Sequence, residues 1–110
     1  MKHVLFTLKG CNPELLNDEL YIRAVLTTAA GISKSTLLKI ESHQFEPQGV
    51  TAFALLAESH ISIHTWPENG TAVCDAFTCG DHTNPDFASI YMGDALESSS
   101  VSSELIMRSF

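Results

Sequence analysis

The amino-acid sequence predicts an α+β fold, a two-layer sandwich in which a mainly antiparallel sheet carries two helices on one face. Short turn signals separate a run of strand-like segments in the middle of the chain, and this spacing favours antiparallel pairing. Two longer segments each begin with Asn-Pro, and the first has apolar residues at mixed three- and four-residue steps. Because 110 residues with 45% hydrophobic content can form one core, we expect a single domain over residues 1–110.

The first helix is expected within residues 11–33. Asn12 can accept hydrogen bonds from the free backbone N–H groups at its start, and Pro13 suits the first helical position. Gly31 is expected to end this helix in a left-handed conformation. The second helix is expected within residues 84–98, where the Asn-Pro opening occurs again.

The strands complete the order β-α-β-β-β-β-α-β. Their expected ranges are 3–9, 35–47, 50–57, 60–66, 71–79 and, with a weaker pattern, 100–107. The segment 50–57 is almost continuously apolar, which indicates a central strand. Asn69-Gly70 predicts a tight turn between the fourth and fifth strands, because both residue types tolerate positive φ.

Charge and composition restrict the classes of partner. The net charge is −7, with 13 acidic residues against six lysines and arginines and no basic cluster, so nucleic acid and anionic membranes are not expected partners. An acidic surface suits a cationic small molecule or serves solubility alone.

No segment has the apolar length of a signal peptide or of a membrane span. The three cysteines are widely spaced, which predicts free thiols in a reducing compartment and a cytoplasmic location.

Metal binding is not expected from the spacing of histidine and cysteine. Zinc ligands would have to come from His60, His64, Cys74 and Cys79, with His82 nearby. On a strand, residues four positions apart share a face but lie about 13 Å from each other, which is too far for one ion. The usual Cys-x2-Cys pair does not occur in this sequence.

The segment AESHISIHTWPE, residues 57–68, carries more polar side chains than a structural strand needs. Ser59 lacks the Gly-x-Ser-x-Gly context of a hydrolase nucleophile. A serine can instead attack the carbonyl of the residue before it and convert the amide into an ester. Elimination then cuts the chain and leaves a pyruvoyl group, a built-in carbonyl that forms a Schiff base with a substrate amine and accepts electrons as carbon dioxide leaves. This chemistry needs a proton-transfer residue and a hydroxyl that stabilises the intermediate.

Together with DAFTCG, residues 75–80, this segment resembles the bacterial and archaeal S-adenosylmethionine decarboxylase proenzymes, and the resemblance extends over nearly the whole chain. It implies cleavage between Glu58 and Ser59 into a chain of residues 1–58 and a chain of residues 59–110 that begins with the pyruvoyl group.

The same resemblance assigns the remaining roles. His64 assists the proton transfers of self-cleavage, and Cys79 returns a proton to the substrate carbon after decarboxylation. Thr51 stands where many relatives have a serine that aids processing, and its β-branched side chain is stiffer about χ1.

For the substrate, S-adenosylmethionine, the resemblance implies that Glu68 holds the ribose hydroxyls and that Phe45 stacks on adenine. Trp66 either lines this pocket or fills the core, and Phe53 is expected in the core. The resemblance also implies a homodimer of cleaved protomers with active sites at the interface.

Structural roles are expected for two further residues. His60 is expected to be a structural histidine with hydrogen-bond partners, and Cys74 a small core side chain. Ser59 and His64 are an odd number of positions apart and would point to opposite faces of a regular strand, so Ser59 is expected at a bend before that strand.

Two other functions stay open: a pyruvoyl-dependent decarboxylase of arginine or ornithine, and an uncleaved nucleoside-binding regulatory protein. Retention of Phe45 and Glu68 favours the nucleoside substrate.

Overall fold

A six-stranded antiparallel sheet forms the centre of the protein, with the strand order β2-β3-β4-β5-β1-β6. The computed structural model describes residues 1–79 and 83–109. The strands are β1 (Lys2–Lys9), β2 (Leu37–Gln44), β3 (Val50–Leu56), β4 (Ser59–Trp66), β5 (Thr71–Thr78) and β6 (Ser100–Met107). The α+β prediction is therefore confirmed, including the weak last strand, which pairs with β1 at the edge of the sheet.

Within the described residues, three helices pack on one face of this sheet: α1 (Pro13–Leu16), α2 (Glu19–Ile32) and α3 (Asp86–Ala95). The single helix expected within residues 11–33 is therefore wrong, because the chain breaks between α1 and α2. Asp18 caps α2 by accepting a hydrogen bond from the Tyr21 N–H at 3.0 Å. Asn17 lies between the two helices, and its side chain accepts a 2.9 Å hydrogen bond from the N–H of Gly49. This hydrogen bond attaches the helix pair to the β2–β3 connection.

The ends of α1 and α2 only partly match the expectations. Asn12 caps α1 as predicted, with its Oδ1 2.9 Å from the Glu14 nitrogen. Gly31, however, does not take a left-handed conformation; α2 continues past it to Ile32, and Lys34 has the positive φ, 60°. Among the described residues, no atom within 4 Å would meet a Cβ at Gly31, so neither its backbone conformation nor its described neighbours require glycine there.

The two faces of the sheet differ in burial. Residues at alternate positions of the four central strands point toward the helices and form the core, among them Val4, Leu8, Ala52, Ile61 and Ile63. The other face, here called the open face, is not covered by any helix of the described residues. It carries Phe53, 40% exposed, and Trp66, 43% exposed, so the suggestion that these two rings fill the core is wrong. Cys74 lies in the core as predicted, 4% exposed.

Two short connections determine where β4 begins and ends. Ala57 and Glu58 form the turn that joins β3 to β4, and Leu56 pairs directly with Ser59. At the other end, the 3₁₀ turn Pro67–Asn69 leads to Gly70, whose φ of 63° is readily accessible to glycine. The tight turn predicted at Asn69-Gly70 is therefore present, although only Gly70 takes a positive φ.

Candidate active site

The Glu58–Ser59 peptide lies at the tip of the β3–β4 hairpin, at the bend expected from the sequence. Ser59 has a φ of 157°, at the limit of a region that side chains with a Cβ rarely adopt. The turn is fastened to the segment before β2: the Thr36 N–H donates to a Glu58 carboxylate oxygen at 2.8 Å, and the Ala57 N–H donates to the Thr36 carbonyl at 2.9 Å. These contacts hold the peptide bond before Ser59 in one conformation.

Cys79 donates two hydrogen bonds to the Glu58 carbonyl oxygen. Its backbone N–H lies 3.1 Å from that oxygen and its thiol sulfur lies 2.9 Å from it. Donors in this arrangement stabilise negative charge that develops on a carbonyl oxygen under nucleophilic attack. The carbonyl that precedes Ser59 therefore already lies in an oxyanion site.

Ser59, a histidine and an aspartate form a row of hydrogen-bond contacts across the open face. The Ser59 hydroxyl lies 3.4 Å from Nδ1 of His60, and Nε2 of His60 lies 2.9 Å from Oδ2 of Asp75 on β5. The same Oδ2 also lies 2.7 Å from Nε2 of His3 on β1, and the Ser62 hydroxyl donates to Oδ1. Burial raises the pKa of Asp75, but the hydrogen bonds from His60, Ser62 and His3 outweigh it and hold that pKa well below its ordinary value.

A second group of predicted site residues surrounds a pocket at the other end of β4. Thr51 and His64 are direct cross-strand partners, with the threonine hydroxyl 3.0 Å from Nδ1 of the histidine. Phe45, Trp66 and Glu68 line the same pocket, which has a volume of about 320 Å³. Both aromatic rings are exposed there, so they offer flat apolar surfaces to a ligand.

One chain does not bring these two groups together. Ser59 begins β4 and Trp66 ends it, and five strand positions between Ser59 and His64 correspond to about 16 Å. Ser59, Glu58 and Cys79 therefore form one group, while Thr51 and His64 belong to the pocket group. The same strand spacing can be applied to the sequence; what the structure adds is that Phe45, Thr51 and Glu68 gather at the His64 end of β4.

The structure also groups three residues to which the sequence alone assigned no chemical role. The ligand atoms of His3, His60 and Asp75 lie within 4.8 Å of one another, because β1 and β4 are the two neighbours of β5.

Cys11, Cys74 and Cys79 are free thiols. The remaining residue of the zinc set considered above, His82, lies outside the described residues. No helix in the described part of the chain is long and apolar enough to cross a membrane.

The fold and the site define a class of protein, a two-layer α+β protein whose reactive side chains lie at a hairpin tip and on the uncovered face of its sheet. A family model described as S-adenosylmethionine decarboxylase matches residues 2–109. The chain belongs to the S-adenosylmethionine decarboxylase family.

Individual relatives agree with that assignment. The chain is 56% identical over 95 residues to an S-adenosylmethionine decarboxylase proenzyme of Parasynechococcus marenigrum, a match that covers 86% of this chain and 74% of the relative. It is 45% identical over 97 residues to the proenzyme of Pyrobaculum islandicum, with 87% and 78% covered. The crystal structure of the adenosylmethionine decarboxylase from Aquifex aeolicus superimposes with a TM-score of 0.91 at 35% identity, covering 99% of this chain and 90% of that one.

Proposed function

We propose that this protein is a self-cleaving, pyruvoyl-dependent decarboxylase of S-adenosylmethionine, which supplies the aminopropyl donor for spermidine and related polyamines. The observation that carries the proposal is the Glu58–Ser59 peptide, whose carbonyl oxygen accepts two hydrogen bonds from Cys79 in a chain of the decarboxylase family. This peptide is the bond that self-cleavage must break.

Maturation begins when the Ser59 hydroxyl attacks the Glu58 carbonyl carbon. The Cys79 N–H and thiol stabilise the oxyanion, and collapse leaves an ester between the Glu58 carboxyl and the Ser59 oxygen. Elimination from this ester separates residues 1–58 from residues 59–110, and Ser59 becomes the pyruvoyl group. We infer that His64 and Thr51 serve the proton transfers of the elimination step, as their hydrogen-bonded contact allows.

The residues at the hairpin tip suit a pyruvoyl group. It would remain next to the Cys79 thiol, which already lies within hydrogen-bond distance of the Glu58 carbonyl and is exposed to substrate. When formed, the group supplies a carbonyl electrophile that accepts electrons during decarboxylation. The Cys79 thiol can hold the proton that returns to the substrate carbon.

The pocket near His64 is the proposed site of the nucleoside. Phe45 offers a ring for stacking on adenine, and Glu68 offers a carboxylate to the ribose hydroxyls, with Trp66 at the wall. The volume of about 320 Å³ is at the lower end of the range for small-molecule sites, and both aromatic rings are exposed in a single chain.

We further infer a homodimer that completes this divided site. The hairpin tip and the nucleoside pocket lie at opposite ends of β4, whereas the chemistry requires them to meet. A two-fold axis through the open face would bring the tip of one chain to the pocket of the other. The exposed Phe53, Leu5 and Val73 give this face an apolar surface of the kind that dimer interfaces bury.

The other two functions receive less support. A decarboxylase of arginine or ornithine would not need an exposed aromatic pair beside a carboxylate, and the relatives described above are named for S-adenosylmethionine. An uncleaved nucleoside-binding protein would not need a thiol donating to the Glu58 carbonyl. Because its thiols are unpaired, we place the protein in the reducing cytoplasm.

Intact mass spectrometry of the purified protein tests this proposal. The parent should yield fragments 1–58 and 59–110, the second blocked by a pyruvoyl group, and should decarboxylate S-adenosylmethionine but not arginine or ornithine. Ser59→Ala should remain one inactive chain. Ser35→Ala, which alters a buried hydroxyl without a hydrogen-bond partner among the described residues, should cleave like the parent. An uncut Ser59→Ala protein with full activity would rule out the pyruvoyl mechanism.

A further inference from the structure

Of the histidines in the described part of the chain, His60 is the one that contacts Ser59, although the sequence suggested only a structural role for it. Its Nδ1 lies 3.4 Å from the Ser59 hydroxyl, a long contact of the kind that often shortens only during the reaction. We propose that His60 is the general base of the first maturation step and that Asp75 is the residue that positions it. The proposal rests on the proposed self-cleavage at Ser59 and identifies how its nucleophile is activated.

The hydrogen bonds on the carboxylate determine which ring nitrogen of His60 carries the proton. Asp75 is ionised, so both of its oxygens can only accept hydrogen bonds. Nε2 of His60, 2.9 Å from Oδ2, must therefore hold a proton and donate it. In the neutral ring this leaves Nδ1 with a lone pair, directed at the Ser59 hydroxyl. This is the tautomer that a base for Ser59 requires.

Neighbouring side chains fix both members of this pair. The Phe53 ring stacks on the His60 ring, with centroids 5.2 Å apart and an interplanar angle of 19°. The Asp75 carboxylate receives hydrogen bonds from Ser62 at one oxygen and from His3 at the other, so it does not need to rotate to accept from His60. Such an arrangement orients a base in the same way as the aspartate of a Ser-His-Asp triad.

The step balances without any added reagent. The Ser59 hydroxyl gives its proton to Nδ1 of His60 as its oxygen bonds to the Glu58 carbonyl carbon, and the carbonyl electron pair moves to the oxygen held by Cys79. When the tetrahedral centre collapses, the bond from this carbon to the Ser59 nitrogen breaks. Nδ1 then returns the proton to that nitrogen. The product is an ester and a free amine, and His60 is neutral again.

The first experiment follows the cleavage of purified His60→Ala over time by intact mass. General bases of this type contribute on the order of a hundredfold, so its cleavage rate should fall by about that factor. Hydroxylamine cleaves esters but not amides, and the uncut His60→Ala chain should resist it because the block precedes ester formation. A His60→Ala chain that cleaves at the parental rate, or that accumulates a hydroxylamine-sensitive ester, would overturn the role.

Asp75 variants test positioning separately from packing. Asp75→Asn keeps the size of the side chain but can donate to Nε2, which moves the proton to Nδ1 and removes the base. Cleavage should therefore be fastest in the parent, intermediate in Asp75→Glu and slowest in Asp75→Asn. A role in packing alone predicts that Asn is tolerated better than Glu, and that order would contradict the proposal even if His60→Ala failed to fold.

His3 provides a graded comparison. It contacts the same carboxylate oxygen as His60 but makes no hydrogen bond to Ser59, so His3→Ala should slow cleavage clearly less than His60→Ala does. An equal fall in the two variants would contradict the assignment of the base to His60.

Because the three ligand atoms lie within 4.8 Å of one another, the parent is also dialysed against a chelator. Unchanged cleavage is expected, whereas a loss that zinc restores would show a metal site instead. If the parent chain itself never cleaves, the proposed function fails before these comparisons begin.

Discussion

At the scale of single residues, the contacts of Cys79 support a second proposed role beside the one that the resemblance assigned. The resemblance to the decarboxylase proenzymes assigned it to substrate protonation after maturation. In the uncleaved chain, however, its thiol donates to the Glu58 carbonyl at 2.9 Å and its backbone N–H donates at 3.1 Å. The same side chain therefore contacts the bond that we propose is cut, and we expect it to lie beside the pyruvoyl group that the cut would produce.

We expect Cys79→Ala to mature about tenfold more slowly than the parent. Loss of one oxyanion donor usually costs a hundredfold or more, but the backbone N–H of residue 79 remains in place. Timed intact-mass measurements give the cleavage rate. Cys74→Ala is the control, because Cys74 lies in the core on the opposite face of the sheet and should alter stability rather than this rate. Parental maturation in Cys79→Ala would show that the thiol contributes nothing to the oxyanion site.

Thr51 is a second test at this scale. Its hydroxyl lies 3.0 Å from Nδ1 of His64, and Thr51→Val removes that hydroxyl with little change in shape. Cleavage should slow in Thr51→Val and should be at least as fast as the parent in Thr51→Ser, whose side chain is less restricted about χ1. Equal rates in all three proteins, measured side by side, would remove Thr51 from the processing machinery.

At the scale of secondary-structure elements, one buried threonine joins α1, β3 and β4. The Thr65 hydroxyl accepts a hydrogen bond from the Val50 N–H at 2.8 Å and donates to the Leu16 carbonyl at 2.8 Å. Thr65 is 6% exposed, so water cannot replace these partners without rearrangement. This contact fixes β3 against β4 beside the pair Thr51 and His64.

Thr65→Val should therefore lower the free energy of unfolding by about 2 kcal/mol, because it leaves a buried N–H and a buried carbonyl without partners. Thr78→Val is a close control: Thr78 is 2% exposed, and its hydroxyl makes no hydrogen bond within the described part of the chain. That variant should be neutral or slightly more stable. Both are compared by urea unfolding in a Ser59→Ala background, which keeps one uncut chain. Equal losses in the two variants would refute the assigned role of Thr65.

Most elements could be predicted from the sequence, because strand alternation and the Asn-Pro helix openings are local signals. The order of strands in the sheet could not. β5 lies between β1 and β4, which are separated by half of the chain, and only this arrangement brings His3 and His60 to Asp75. The interruption at Asn17 depends in the same way on a contact with Gly49, far along the chain. Long-range pairings of this kind leave no periodic pattern in the sequence.

At the scale of the whole molecule, the separation between the hairpin tip and the proposed nucleoside pocket supports the proposed homodimer. His64 lies about 16 Å from Ser59 along β4, and proton transfer needs contact within hydrogen-bond distance. The open face also exposes apolar side chains across its width, including Leu5, Phe53 and Val73. Sedimentation should therefore give at least twice the chain mass of 12.0 kDa, and an active monomer would contradict the shared site.

Mixed dimers provide the stronger test, because they separate the tip of one chain from the pocket of the other. Ser59→Ala alone cannot form the pyruvoyl group, and His64→Ala alone should cleave slowly because its pockets lack the histidine. When the two are co-expressed, a heterodimer contains one site with Ser59 from one chain and His64 from its partner. Random pairing then allows up to about half of the His64→Ala chains to be cut. Intact mass distinguishes the two chains, so the source of each fragment is directly visible. If His64 acted within its own chain, co-expression would leave the His64→Ala chains as uncut as they are alone.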